Sequence, residues 1–228
     1  MRTGWRTELP LLVLVVAMFA AGARAWRLVP GRVAVHWDLS GRPDGYGGRF
    51  EGLFLLPLIT LGVYVLMRFL PRIDPLRESY EAFGGVYLVF RYAVVILLTL
   101  VYGFMLAWDL GYELSLSRAI TVVLGMLFVV LGNFLGKVRP NWFVGIRTPW
   151  TLSSRRSWVR THRLGGWLFV LAGLALMGMG LVYPAAGAVA IGPTVLVCVA
   201  VPLVYSYRVW KADPDRDPPV WKRPPRGD

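Results

Sequence analysis

The chain has a single cysteine, Cys198, and two histidines, His36 and His162, in 228 residues. One cysteine excludes an internal disulfide framework and any thiolate metal cluster. Lying within an apolar run, it reads as a small buried hydrophobe. Acid is also scarce, with 13 Asp and Glu against 25 Lys and Arg and a net charge of +12. What is missing most is polar surface: 56% of residues are hydrophobic and the mean hydropathy is +0.55. A soluble domain could not cover its core with so little. In a soluble protein the basic excess would point to nucleic acid. In a bilayer it records orientation and contact with anionic lipid of the cytoplasmic leaflet, so no direct nucleic-acid partner is expected.

Runs of about 20 apolar residues are long enough to span a bilayer as helices. Such runs lie at 9–27, 52–70, 88–108, 118–136, 164–183 and 187–207, and none carries an acid, Lys, Arg or His in its core. The predicted class is an all-α integral membrane protein with six transmembrane helices. Its layout is an N-terminal module (1–87), a second module (88–207) and a disordered cytoplasmic tail (208–228). Basic residues flank the spans unevenly. Arg24, Arg27, Arg32, Arg42 and Arg49 sit in the first loop, Arg118 alone in the third, and none in the fifth turn. The other nineteen, with Arg68, Arg72, Arg77 and Arg91 assigned to the second loop, fall on the side of the two termini, so both termini are expected in the cytoplasm. Residues 1–25 also read as a signal peptide ending at Ala23-Arg24-Ala25. The length of the apolar run favours an uncleaved anchor.

The first outer loop, 28–51, is expected to form a small structured cap. Val33, Val35 and Trp37 alternate with Arg32, Ala34 and His36, a short strand pattern. Ser40-Gly41 and Pro43-Asp44-Gly45 supply turn chemistry and a hairpin character. His36, Asp38 and Asp44 have no specific metal-ligand spacing, and the topology puts His162 on the other side of the membrane, so neither metal nor cofactor is expected.

The fourth loop breaks the hydrophobic pattern with RPNWFVGIRTPWTLSSRRSW, residues 139–158. Its arginines and Trp142, Trp150 and Trp158 suit the inner interface, where indole and guanidinium groups meet headgroups. Anchoring does not account for Pro140, Asn141, Gly145 and Pro149, which dictate backbone conformation. They predict a structured cytoplasmic loop between helices four and five. Ser153 or Ser154 is the expected cap of a helix starting near Arg155. On that helix Trp158, His162, Gly165 and Gly166 share a face, and the glycines permit close helix contact. His162 is expected to bond back to the loop, at Asn141 or Thr148.

Residues 132–165, GNFLGKVRPNWFVGIRTPWTLSSRRSWVRTHRLG, resemble the signature of the SdpI-like family of bacterial membrane proteins, named for immunity to a sporulation-delaying toxin. The positions that match are Gly132, Asn133, Pro140, Asn141, Gly145, Arg147, Thr148, Pro149, Trp150, Trp158, Thr161 and His162. Residues 30–49, with Pro30, His36, Gly41, Asp44 and Arg49, resemble the N-terminal domain of unknown function often fused to it, Arg49 standing where a lysine is expected. The resemblance implies a multi-pass protein of the bacterial plasma membrane. It implies protection against a secreted, membrane-active peptide toxin and a receptor role that holds a small winged-helix repressor at the membrane.

Other classes stay open on the sequence. Ion-coupled transport normally needs intramembrane acids or histidine, which the span cores lack, whereas an uncoupled lipid or peptide path does not. Lipid-phosphate chemistry at His162, with Thr161, Asn141 and Arg147, lacks a carboxylate between Lys137 and Arg163 to orient the imidazole. The last reading is structural: a folded hairpin that sets spans four and five.

Overall fold

A computed structural model describes residues 4–216 of the chain. Six of its helices are long and apolar enough to cross a membrane. Their surface is apolar on the outside as well, with Val13, Val16, Leu171, Leu174, Leu196 and Val199 exposed. That arrangement suits a protein whose solvent is lipid, and helices are the form it takes because each one satisfies its own backbone groups. The chain is an all-α multi-pass membrane protein.

Helix α1 is Trp5–Ala25 and α2 is Leu56–Ile73, entered through a wide π turn at Glu51–Leu55. Helix α3, Ser79–Asp109, bends at Phe83. Helix α4 is Leu116–Leu135, α5 the single turn Pro149–Leu152, α6 Arg155–Val182 and α7 Pro184–Lys211. The start of α1, the α2–α3 turn, the 136–154 segment and the end of α7 gather at one end of the bundle, the signature face. Glu8 meets Arg68 and Arg91 there, Asp74 meets Trp142, and Ser154 meets Asp213.

The opposite end carries a hairpin of β1, Arg32–Trp37, and β2, Pro43–Gly48, antiparallel with a bulge near His36. The turn is tighter than the sequence suggests. Asp38 Oδ1 accepts from Ser40 N, Ser40 Oγ and Arg42 N, and Gly41 takes φ +82°. Pro43-Asp44-Gly45, expected as a second turn, lies in β2 instead, because Asp38 already closes the loop. The cap is fixed to the bundle by Ala34 N donating to Asp109 and by Ser117 Oγ donating to Leu39 O. Val29, Val33 and Leu53 are buried beneath it.

The most extensive interface joins α4 and α6. A Cβ on Gly132 would stand 2.7 Å from Gly166 O, and one on Gly125 would stand 2.7 Å from Gly173 O. These glycines let the two backbones touch, as small residues do in membrane bundles. Gly180 and Gly187 likewise pack within this chain, against Thr121 and each other, whereas Gly178 faces open space.

Two expectations fail here. Arg91, assigned to the second loop, lies well inside α3 and is buried, because Glu8 of α1 meets it there. Residues 208–216 are not a loose tail: α7 continues to Lys211, and Asp213 is buried against Ser154. Residues 217–228 of that tail lie outside the described residues.

Candidate functional site

The signature segment folds as a hydrogen-bonded knot on the ends of α4, α6 and α7. Asn141, fully buried, organises its first turn. Its Nδ2 donates to Arg139 O and Val144 O, while its Oδ1 accepts from Phe143 N and Val144 N. One side chain thus serves four backbone groups that the break after Pro140 would leave unpaired. Asp74 arrives from the α2–α3 turn. Its Oδ2 accepts from Trp142 N at 3.0 Å and from Tyr80 Oη at 2.9 Å, so the α2–α3 turn clasps the signature segment.

Gly145 follows with φ +105°, a conformation in which an L side chain is strained. It opens space for His162. The Ile146 amide can only donate, so His162 Nε2, 3.0 Å away, is the acceptor. The proton therefore sits on Nδ1, which donates to Trp158 O at 2.8 Å. The ring is neutral, and both nitrogens are spent. It also stacks on Trp158 at 4.1 Å, and the indole Nε1 donates to Val138 O. The bond back to the loop exists as expected, but its partner is the Ile146 backbone and not Asn141 or Thr148, because positive φ at Gly145 turns that amide inward.

Thr148 caps α5 through a reciprocal box with Thr151, and Thr151 Oγ1 also donates to Ile146 O. Pro149 occupies the first turn of α5, where it forfeits no helical bond. Thr148 Oγ1 lies 3.1 Å from Ser206 Oγ, and Ser157 Oγ donates to Ser206 O, so α7 is tied to both the loop and α6. Of the two serines expected as candidates, Ser154 caps α6, its Oγ accepting from Ser157 N. The same hydroxyl donates to Asp213.

That last bond holds the Asp213 carboxyl below its ordinary value of 3.8, with the Ser154 hydroxyl as the main cause. A depressed folded-state pKa gives stability that is present above the unfolded pKa and lost as pH falls through the folded one. Acidification below about pH 4 should therefore loosen the end of α7. Hydrogen-exchange protection of residues 208–213, taken relative to the intrinsic rate at each pH, should fall there in wild type, and Asp213→Asn should show low protection at every pH. Protection independent of pH in wild type would contradict the clasp.

The predicted site residues divide into two sets. Asn141, Thr148, Trp158, Thr161 and His162 are buried in the interior of the knot, and Gly145, itself exposed, backs directly onto His162. The Thr161 hydroxyl is buried there without a hydrogen-bond partner among the described residues. Arg147 is exposed, its Nη1 donating to Trp142 O. Trp150 is half-buried edge-on to Tyr207. Asn133 faces outward on α4, bonded to Val129 O of its own helix. Trp142 and Phe143 project from the knot at 50% and 37% exposure. On the cap, His36 Nδ1 lies 2.5 Å from Asp44, Asp38 builds the turn, and Arg49 binds Val29 O and Pro30 O. No cluster of three His, Cys, Asp or Glu able to hold a metal occurs among the described residues.

Sequence reasoning missed Asp74, Asp213 and Ser206. An Asp-Pro step at a helix end and a lone serine in an apolar span were their available signals. It also missed Asp109, whose Oδ2 is buried beneath the cap without a partner among the described residues.

Residues 137–206 match the SdpI/YfhL protein family, and residues 13–61 match a domain of unknown function, DUF1648. Comparison with curated proteins and with solved structures returns no match.

Proposed function

With an SdpI/YfhL-family module at residues 137–206 joined to a DUF1648 module at 13–61, we propose that this membrane protein protects its cell against a membrane-active peptide. In this reading it also passes the encounter to a cytoplasmic regulator. The signature face lies in the cytoplasm of a bacterial cell, and the hairpin cap outside, where a secreted peptide arrives.

One observation carries the docking half of this reading. The knot turns most of its buried polar side chains inward, yet leaves Trp142 and Phe143 exposed beside exposed Arg139 and Arg147. Aromatic and arginine side chains on a rigid loop are the groups that dominate interface energies. The same patch also suits anionic lipid, and the regulator reading is tested by separating the two. Full-length protein in gently solubilised membranes should retain a small cytoplasmic protein that is lost from Trp142→Ala/Arg147→Ala at matched protein level. Cells expressing wild type should survive a higher dose of a membrane-active peptide than cells lacking it. Identical partners and identical survival would reject the proposal.

The orientation has its own test. Cys198 is buried, so the native background is low. Ser40→Cys should react with a membrane-impermeant maleimide in intact cells, and Ser153→Cys only after lysis. The reverse pattern would invert the topology.

His162 as a general base finds no support in this geometry, because taking a proton at Nε2 would break the Ile146 bond and bury a charge.

A further inference from the structure

A cavity of about 290 Å³ opens on the signature face between the end of α2 and the start of α3. Arg68, Arg72, Arg77 and Arg91 line it together with Tyr80 and Tyr87. Its floor is the buried ion cluster. Arg91 is 2% exposed and gives Nη1 and Nη2 to the two oxygens of Glu8, at 2.9 and 2.7 Å. Arg68 Nε stands 3.2 Å from the same carboxylate. Two guanidinium groups therefore share one carboxylate, and among the described residues one positive charge of the cluster has no ion-pair partner of its own. Arg91 Nε is in addition a buried donor with no partner among the described residues. Arg72 and Arg77, on the rim, form no ion pair among the described residues, although Glu78 and Glu81 also line the rim.

The surplus charge sits on Arg68, 28% exposed at the cavity, and a partly desolvated guanidinium is stabilised when an anion answers it. Guanidinium groups on several sides of a small cavity match the oxygens of a phosphate, which arginine binds in bidentate fashion. We propose that this cavity is a binding site for a phosphate-bearing anion, with Arg68 and Arg91 as its charged floor and Arg72 and Arg77 as its rim. Tyr80 forms one wall and also bonds to Asp74, which holds Trp142 N. An anion seated here is thus two side chains, Tyr80 and Asp74, away from the signature knot.

The same chemistry has two sources, an anionic lipid headgroup or free phosphate, and the test separates them. Full-length protein in detergent is heated with rising inorganic phosphate at constant ionic strength, and separately in micelles doped with phosphatidylglycerol or with phosphatidylcholine. The site predicts a Tm that rises with one anionic probe and not with phosphatidylcholine. Arg72→Gln/Arg77→Gln, which removes exposed side chains only, should need at least about ten times more of that probe for half the rise. Arg155→Gln/Arg160→Gln, on an exposed face of α6, should respond as wild type does. A response to inorganic phosphate assigns the free ion, and a response to phosphatidylglycerol alone assigns the headgroup. No rise with either probe, or an equal rise in the two double variants, would overturn the site.

Discussion

Gly145→Ala is expected to lose roughly 2–5 kcal/mol of stability, a large share of what a folded chain has to spare. Two costs combine at this position. An L residue in the left-handed region pays about 1–2 kcal/mol. The added Cβ would also stand 2.3 Å from His162 Nε2, so the imidazole must move away. Moving it strands the Ile146 N–H inside the knot, and an unsatisfied buried donor costs about 1–3 kcal/mol. The measurement is thermal unfolding in detergent, together with protease cleavage within 139–154. Gly178→Ala is the matched control. Its Cβ meets open space near the end of α6, so it should be neutral or slightly stabilising. Equal Tm values for the two variants would show that the knot tolerates a side chain at position 145, and the account of His162 given above would fail with it.

Glu8→Ala is expected to be more damaging still. Arg91 would then be buried with no opposing charge, a defect worth on the order of 3–5 kcal/mol. Tyr64, which donates to Glu8 Oε2 at 2.8 Å, would lose its acceptor as well. The effect belongs to the unpaired charge and not to the pair, so a second change should relieve it. In Glu8→Ala/Arg91→Met an unbranched apolar side chain fills the site, and most of the lost stability should return. Arg68 is 28% exposed in its side chain and can turn toward headgroups or water. Unfolding of the two single variants and the double variant in one detergent gives the coupling directly. If the double variant were no better than Glu8→Ala alone, the buried charge could not be the source of the damage.

This ion cluster also limits what the empty span cores imply about transport. The apolar runs carry no ionisable group in their cores, but Glu8, just before the first run, and Arg91, near the start of the third, meet inside the bundle. They neutralise one another there. The cluster reads first as a lock between α1, α2 and α3, and through the cavity above it as an anion site.

Local sequence determined the spans. Twenty apolar residues need a helix whatever surrounds them, because lipid offers the backbone no other partner. The same holds where chemistry is settled within a few residues. Ser154 caps α6, the cap forms a hairpin, and Trp158, His162, Gly165 and Gly166 fall on one buried face, all as their spacing predicts. Gly145 and Asn141 announce a fixed loop, since those residues serve special backbone positions. What the loop is fixed against was not legible. Asp74 lies 68 residues from Trp142, and Ser154 lies 59 from Asp213, so only the packed bundle brings them together. Arg91 shows the limit most clearly. An arginine near the end of an apolar run can reach outward to headgroups or inward to an acid. Its own neighbours do not decide between them. The decision fell to Glu8, 83 residues away, because a charge enters a bundle only where another chain segment brings its opposite.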